Sequence, residues 1–238
     1  MKITTILFDL DGTLLPMDPE RFTKAYFGGI SKKLAPLGYE PRELINAIWQ
    51  GTAAMVKNDG SCTNEIAFWK YFVSLYGEEK ARHDYPFFEK FYLENFDEVA
   101  TVCGHNPRTK EIIEFLKEKK IRRVLATNPI FPSIATEKRM AWAGLSPDDF
   151  EHFTTYENSR YCKPNLSYYR DILEKIGCSP TECAMVGNDV DEDMIARDLG
   201  MQVFLITDCL INKKSQDINA YPHGGFDELL EWLKKITA

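Results

Sequence analysis

The chain has 238 residues, 44% hydrophobic and 27% charged, an ordinary soluble composition that can bury a sizeable core and support two domains. Its net charge of -7, with Lys and Arg scattered along the chain, lacks the basic footprint of a nucleic-acid binder, so no nucleic-acid partner is expected. No run approaches the roughly 18 apolar residues of a membrane span, and Asp9 interrupts the N-terminal apolar stretch before a signal-peptide cleavage site could follow.

These features point to a cytoplasmic protein with no membrane partner. The six cysteines (62, 103, 162, 178, 183 and 209) lie far apart, with no Cys-x-x-Cys and no paired histidine. They are read as free, mostly structural thiols, and neither a disulfide framework nor a zinc site is expected.

Residues 3–9 read as a buried strand that stops at two aspartates one residue apart, Asp9 and Asp11, followed by Gly12 and Thr13. A helix-rich stretch follows with no convincing strand in it. Helices are predicted over 19–35, 41–57, 64–77 and 84–96, separated by Pro36/Gly38, Asn58-Asp59-Gly60 and Gly77. From Pro107 onward, helix and strand alternate. Helices are predicted over 107–119, 133–143, 166–176, 191–199 and 226–236, and strands over 122–127, 151–155, 183–187 and 201–206.

Strands alternating with helices imply a parallel sheet covered on both faces, an α/β doubly wound core. The helical stretch reads as an insertion in it. The expected division is a core of residues 1–16 and 97–238 and a helical cap of residues 17–96. Ligands of such sheets bind beyond the carboxyl ends of the strands, where Asp9, Thr127 and the Gly187-Asn188-Asp189 turn all fall.

The chemistry is legible in four short segments. The two-residue period of a strand points the Asp9 and Asp11 carboxylates the same way. Such a pair closing an apolar strand requires a cationic partner, and Mg²⁺ suits hard oxygen ligands. Thr127 ends the apolar strand Val124-Leu125-Ala126, and Pro129 keeps Asn128 out of helical conformation. Lys163-Pro164 sits at the start of a predicted helix, with Pro164 near its first turn. The run Gly187-Asn188-Asp189-Val190-Asp191-Glu192-Asp193 places acidic residues after a strand and at a helix head, where the dipole favours negative charge.

In this order the segments resemble the four motifs of the haloacid dehalogenase superfamily, and the insertion resembles its C1-type cap. The resemblance implies a Rossmann-like core, a Mg²⁺ cofactor and a small phosphorylated metabolite as partner, in a monomer or homodimer. It gives Asp9 the nucleophile's role and Asp11 that of general acid and base. Thr127 and Asn128 fall at the phosphoryl site, and Lys163 neutralises charge there. Lys163 is followed by an aromatic, Tyr168 or Tyr169, as in the third motif. Asp9, the main-chain carbonyl of Asp11 and the acidic turn would hold the metal.

The chain departs from the pattern at Asn188, where many relatives carry the first Asp. Either Asp189 is the direct ligand with Asp193 behind it, or Asn188 faces the metal through its amide oxygen. A carboxylate adds charge attraction, which favours Asp189. Asp191 and Glu192 are read as solvent-facing or capping, and Arg160 as part of a solvated face.

The leading expectation is a phosphatase acting on a small phosphate monoester. A phosphomutase would share Asp9 and Asp11. A phosphonatase would need a cap lysine, for which Lys24 and Lys57 are available, and a dehalogenase is disfavoured by Asp11. A phospho-acceptor signalling domain or a non-catalytic binding protein stands outside enzymes altogether. Substrate selection is expected from the cap, in the segment 55–60, especially Lys57 and Asn58, with Arg21, Lys24, Trp49 and Trp69.

Overall fold

The computed structural model describes residues 2–238. Its centre is a six-stranded, all-parallel sheet in the order β3-β2-β1-β4-β5-β6. The strands are β1 (Thr5–Phe8), β2 (Arg122–Leu125), β3 (His152–Phe153), β4 (Cys183–Gly187), β5 (Gln202–Ile206) and β6 (His223–Gly224). The interior strands β1, β4 and β5 are short, largely apolar runs, β2 turns apolar at Val124, and alternate residues of the four enter two different cores, as the period of two requires. Ile6, Phe8, Leu125, Ala184 and Val186 pack on one face, and Leu7, Val124, Met185 and Val203 on the other.

Helices α5 (Pro107–Glu118) and α8 (Phe226–Ile236) cover the first face with Ile112, Ile113, Leu229 and Leu233. Helix α7 (Leu166–Ile176) covers the second with Tyr168, Tyr169, Ile172 and Ile176. Each fully buried aliphatic or aromatic side chain contributes roughly 1.5–3 kcal/mol, so the doubly wound α/β core follows directly from these apolar strands. Among the described residues no helix is long and apolar enough to cross a membrane, and all six cysteines are free thiols.

Four helices lie between β1 and α5: α1 (Pro19–Leu34), α2 (Pro41–Val56), α3 (Asn64–Tyr76) and α4 (Glu78–Glu94). Asp18 caps α1 through the Arg21 N–H at 2.9 Å, with Pro19 at the first helical position. Thr63 caps α3 in the same way. The chain enters and leaves this insertion side by side. Met17 and Cys103 form an antiparallel bridge, and Gly104 N–H donates to Pro16 O at 2.7 Å. A further tie is Asn64, fully buried, whose amide donates to Pro129 O at 3.1 Å and to Cys162 Sγ at 3.3 Å.

The structure differs from the sequence expectation in four elements. Helix α4 begins at Glu78, six residues before the predicted start, and runs through Pro86. A proline suits a first helical turn, yet here it lies in the interior and leaves the Arg82 carbonyl without its helical donor. The predicted helix 191–199 is a turn followed by a 3₁₀ segment, Met194–Leu199. Asp189 Oδ1 takes the N–H groups of Asp191 and Glu192 at 2.8 and 3.0 Å, and such side-chain bonds compete with a regular helix. The third predicted strand shrinks to His152–Phe153, and β6 was not foreseen, its residues including a glycine.

Candidate active site

The strand order sets β1 between β2 and β4, with Phe8 in register with Leu125 on one side and Val186 on the other. Asp9 N–H donates to Val186 O at 2.9 Å and Ala126 N–H to Phe8 O at 2.7 Å. Asp9, Thr127 and Asn188 therefore lie side by side just past the carboxyl edge, the usual place for a ligand in an open parallel sheet. Asp9, Asp11, Thr127, Asn128, Asn188, Asp189 and Asp193 all line one cleft between the sheet and the helical insertion.

Lys163 lies against this group, its side chain buried. Its ammonium donates to Asp9 Oδ1 at 2.8 Å and to Asp193 Oδ1 at 2.6 Å. Burial works against the charged amine, and the flanking Asp193 and Asp9 carboxylates outweigh it, holding Lys163 well above the usual lysine range. Burial likewise raises Asp193, with Lys163 opposing. The two tyrosines after Lys163 both matter: Tyr168 donates to Thr127 O at 2.8 Å, and Tyr169 to Glu192 O at 2.7 Å. They fix the loops that present Thr127 and the acidic turn. The Thr127 hydroxyl itself has no hydrogen-bond partner among the described residues.

Two glycines allow the close packing of these loops. Gly12 has φ +83°, and a Cβ there would collide with the Asn188 amide. A Cβ on Gly187 would collide with the Asp193 carboxylate. Asn188 accepts from Thr13 Oγ1 at 2.9 Å and donates to Cys209 O at 2.7 Å, so both ends of its amide are engaged. Asp189 Oδ1 caps the turn that follows, while Oδ2 accepts no hydrogen bond among the described residues. Asn128 is similarly committed, donating to Glu192 Oε2 at 3.1 Å and accepting from Lys163 N–H at 3.3 Å.

Several sequence expectations are corrected here. Lys57 and Asn58 do not line the cleft. The Asn58 amide donates to Cys62 O and Asn64 Oδ1, both at 2.9 Å, which shapes the α2–α3 turn. Arg21 and Lys24 are also off the cleft wall, whereas Trp49 and Trp69 are on it. Glu192, read as solvent-facing or capping, is half-buried in the cleft wall, where burial pushes its carboxyl up to about 7. Asp191 does sit at the surface, paired with Lys214 at 2.9 Å. Arg160, half exposed, pairs with Asp171 at 2.7 Å.

One residue was missed. Arg139, fully buried on helix α6 (Ser133–Trp142), forms an ion pair with Asp11 Oδ2. Its guanidinium also donates to Ala135 O at 3.2 Å and Thr136 Oγ1 at 3.3 Å, and lies 4.6 Å from the centre of the Phe131 ring. Asp11 Oδ1 is left buried and without a partner. Burial raises the Asp11 carboxyl and Arg139 opposes that shift. The sequence carried a signal: Arg139 shares a helical stripe with Ala135, Thr136, Met140 and Ala143, and an arginine on a buried stripe requires a partner.

The donor set fits a hard divalent cation. Asp9, Asp11, Asp189, Glu192 and Asp193 gather around two buried cations, Lys163 and Arg139, leaving an excess of carboxylates. Asp11 Oδ1 and Asp189 Oδ2 remain unpartnered. Among the described residues no three acidic, imidazole or thiol side chains converge to form a cation site by themselves. A metal here would therefore draw on main-chain or amide oxygens as well, which Mg²⁺ accepts.

Residues 3–197 match the family of haloacid dehalogenase-like hydrolases. The chain belongs to that family. A pyrophosphatase PpaX from Bacillus velezensis is 21% identical over 236 residues, spanning 99% of this chain and 97% of that protein. A glyceraldehyde 3-phosphate phosphatase from Methanothermobacter thermautotrophicus is 29% identical over 101 residues, which are 42% of this chain and only 43% of that protein. Among solved structures, a 2-haloacid dehalogenase from Pseudomonas syringae superposes with a TM-score of 0.67 at 19% identity, over 98% of this chain and 99% of that one. This last likeness concerns the fold alone.

Proposed function

We propose that this hydrolase is a Mg²⁺-dependent phosphatase of small phosphate monoesters that works through an aspartyl-phosphate on Asp9. The observation that carries the reading is the buried Lys163 ammonium held between Asp9 and Asp193, beside the unpartnered Thr127 hydroxyl. A phosphoryl group entering the cleft would meet a nucleophile, a positive charge and a hydrogen-bond donor at adjacent strand ends. The names of the two curated relatives support the same class of reaction.

Asp9 attacks phosphorus in line, forming a P–O bond to its carboxylate as the bond to the ester oxygen breaks. Asp11 protonates the departing oxygen. In the second half Asp11 takes a proton from water, which attacks the same phosphorus and returns Asp9 to its carboxylate. Thr127 and Lys163 hold the non-bridging oxygens as charge shifts among them. Asp9, Asp189 and the Asp11 carbonyl would hold Mg²⁺, with Asn188 and Asp193 supporting them, and a bound ion would offset the repulsion between carboxylate and phosphate. The helical insertion acts as a cap that closes over the cleft.

The test is phosphate release from 4-nitrophenyl phosphate with Mg²⁺. Release should vanish in excess chelator and in Asp9→Asn, because an amide is not a nucleophile. Full turnover in either condition would refute the reading, and phosphate returned to a sugar acceptor without release would indicate a mutase.

A further inference from the structure

The cleft between sheet and insertion has a volume of about 680 Å³, far more than a phosphoryl group and a two- or three-carbon chain occupy. Beyond the aspartates its walls are aromatic: Phe22, Phe27, Trp49, Phe68, Trp69 and Phe131 come from α1, α2, α3 and the loop after β2. The charged residues on those outer walls are Glu89, Glu137 and Glu157, against one cation, Lys213. Arg21, Lys24 and Lys57, three cationic side chains of the insertion, do not line the cleft.

Taking the phosphatase reading as its basis, we infer that the preferred substrate is the phosphate ester of an aromatic or similarly bulky apolar alcohol that carries no anionic group of its own. An apolar ring gains by leaving water for these walls. A carboxylate on the leaving group would instead lose its hydration and face the glutamates. Opposite demands are thus met in one cleft: the phosphoryl end by Lys163, Thr127 and the metal ligands, the alcohol end by rings. Trp49, half exposed and 5.3 Å from the ring of Phe27, stands where the rings meet solvent.

The test compares two esters whose alcohols are similarly poor leaving groups, 2-phenylethyl phosphate and phosphoglycolate. With Mg²⁺ the first should be hydrolysed with a kcat/KM about tenfold to a hundredfold higher, the difference lying mainly in KM. Equal or reversed preference would overturn the inference while leaving the phosphatase reading intact. Trp49→Ala should lower kcat/KM for 2-phenylethyl phosphate several-fold more than for phosphoglycolate, and an equal loss on both would count against the aromatic site. Glu89→Lys, at an exposed position, should raise phosphoglycolate turnover, and its failure to do so would remove the electrostatic half of the argument.

If neither ester turns over while 4-nitrophenyl phosphate does, the inference falls and the phosphatase reading stands; if 4-nitrophenyl phosphate is not hydrolysed either, the phosphatase reading falls and the cleft is tested by itself. Calorimetric binding of 2-naphthol that is weakened by Trp49→Ala would support an aromatic site. No binding would overturn it.

Discussion

Replacing Arg139 with methionine keeps an apolar stem in the core and removes the guanidinium that holds Asp11. Four contacts go at once: the ion pair to Asp11 Oδ2, the bonds to Ala135 O and Thr136 Oγ1, and the ring of Phe131. Breaking a buried ion pair by removing one partner costs about 3–5 kcal/mol. Here the Asp11 side chain keeps 30% of its exposure, so water shares the orphaned carboxylate and the expected cost is about 2–3 kcal/mol. For a chain of this size that is a fall in Tm of about 5–10 °C.

The effect on activity is separable from stability. A positioned general acid contributes about 10²–10⁴ in rate, and an Asp11 free to rotate forfeits part of that. The assay is steady-state hydrolysis, well below Tm, of 2-phenylethyl phosphate, which needs its leaving oxygen protonated, and of 4-nitrophenyl phosphate, which does not. Arg139→Met should lower kcat for the first by about tenfold to a hundredfold and for the second several-fold less. Equal losses on both esters, or a fall in Tm with wild-type kcat, would show that Arg139 serves folding and not the orientation of Asp11.

Three further outcomes are expected. Asp189→Ala should raise the Mg²⁺ concentration for half-maximal activity far more than Asn188→Ala, because Asp189 Oδ2 is unpartnered while the Asn188 amide is committed to Thr13 and Cys209; a metal titration of both variants decides, and the reverse order would hand the ligand's place to Asn188. Asn64→Ala should cost about 1–3 kcal/mol, since it leaves Pro129 O and Cys162 without their donor, and hydrogen exchange should quicken in the α2–α3 turn; unchanged exchange would mean that the insertion is held elsewhere.

Asp84 gives a pH-dependent outcome. Burial opposes its charge, but bonds from Lys80, His83 and Tyr39, each at 2.7 Å, outweigh that and hold its carboxyl below the usual range. A depressed carboxylate stabilises the fold above the unfolded value, near about 3.9, and loses that contribution as pH falls through its lower folded value. Asp84→Asn should therefore lower Tm at pH 7 and converge with wild type in acid. A constant gap down to pH 2 would refute the role of the charge.

The parts of the site visible in the sequence are those encoded in a few consecutive residues at the end of an apolar run. Asp9-Leu10-Asp11-Gly12, Thr127-Asn128-Pro129 and the 187–193 turn each carry their own strand-end signal, which parallel pairing brings together, and Lys163-Pro164 carries a helix-start signal of its own. What escaped notice depends on contacts distant in sequence. Arg139 and Asp11 are 128 positions apart, and no local pattern links them. Of the residues read as candidates for selectivity, Trp49 and Trp69 line the cleft and Lys57 and Asn58 do not: which side of a helical insertion faces the sheet is decided by how α1 to α4 pack, and periodicity finds an apolar face without saying whether it meets a core or a cavity. The 3₁₀ segment was missed because Asp189 captures main-chain donors that a helix would have used.

Both margins of the sheet are strands of two residues, β3 on one side and β6 on the other. A foreign strand approaching either margin would find too few open donors and acceptors to zip along, so the hazard of runaway sheet extension that accompanies long exposed edges is small here. The longer apolar strands, β1, β4 and β5, are interior and already paired on both flanks. Any self-association would have to use helical faces, and polymerisation into fibres would first require the sheet itself to come apart.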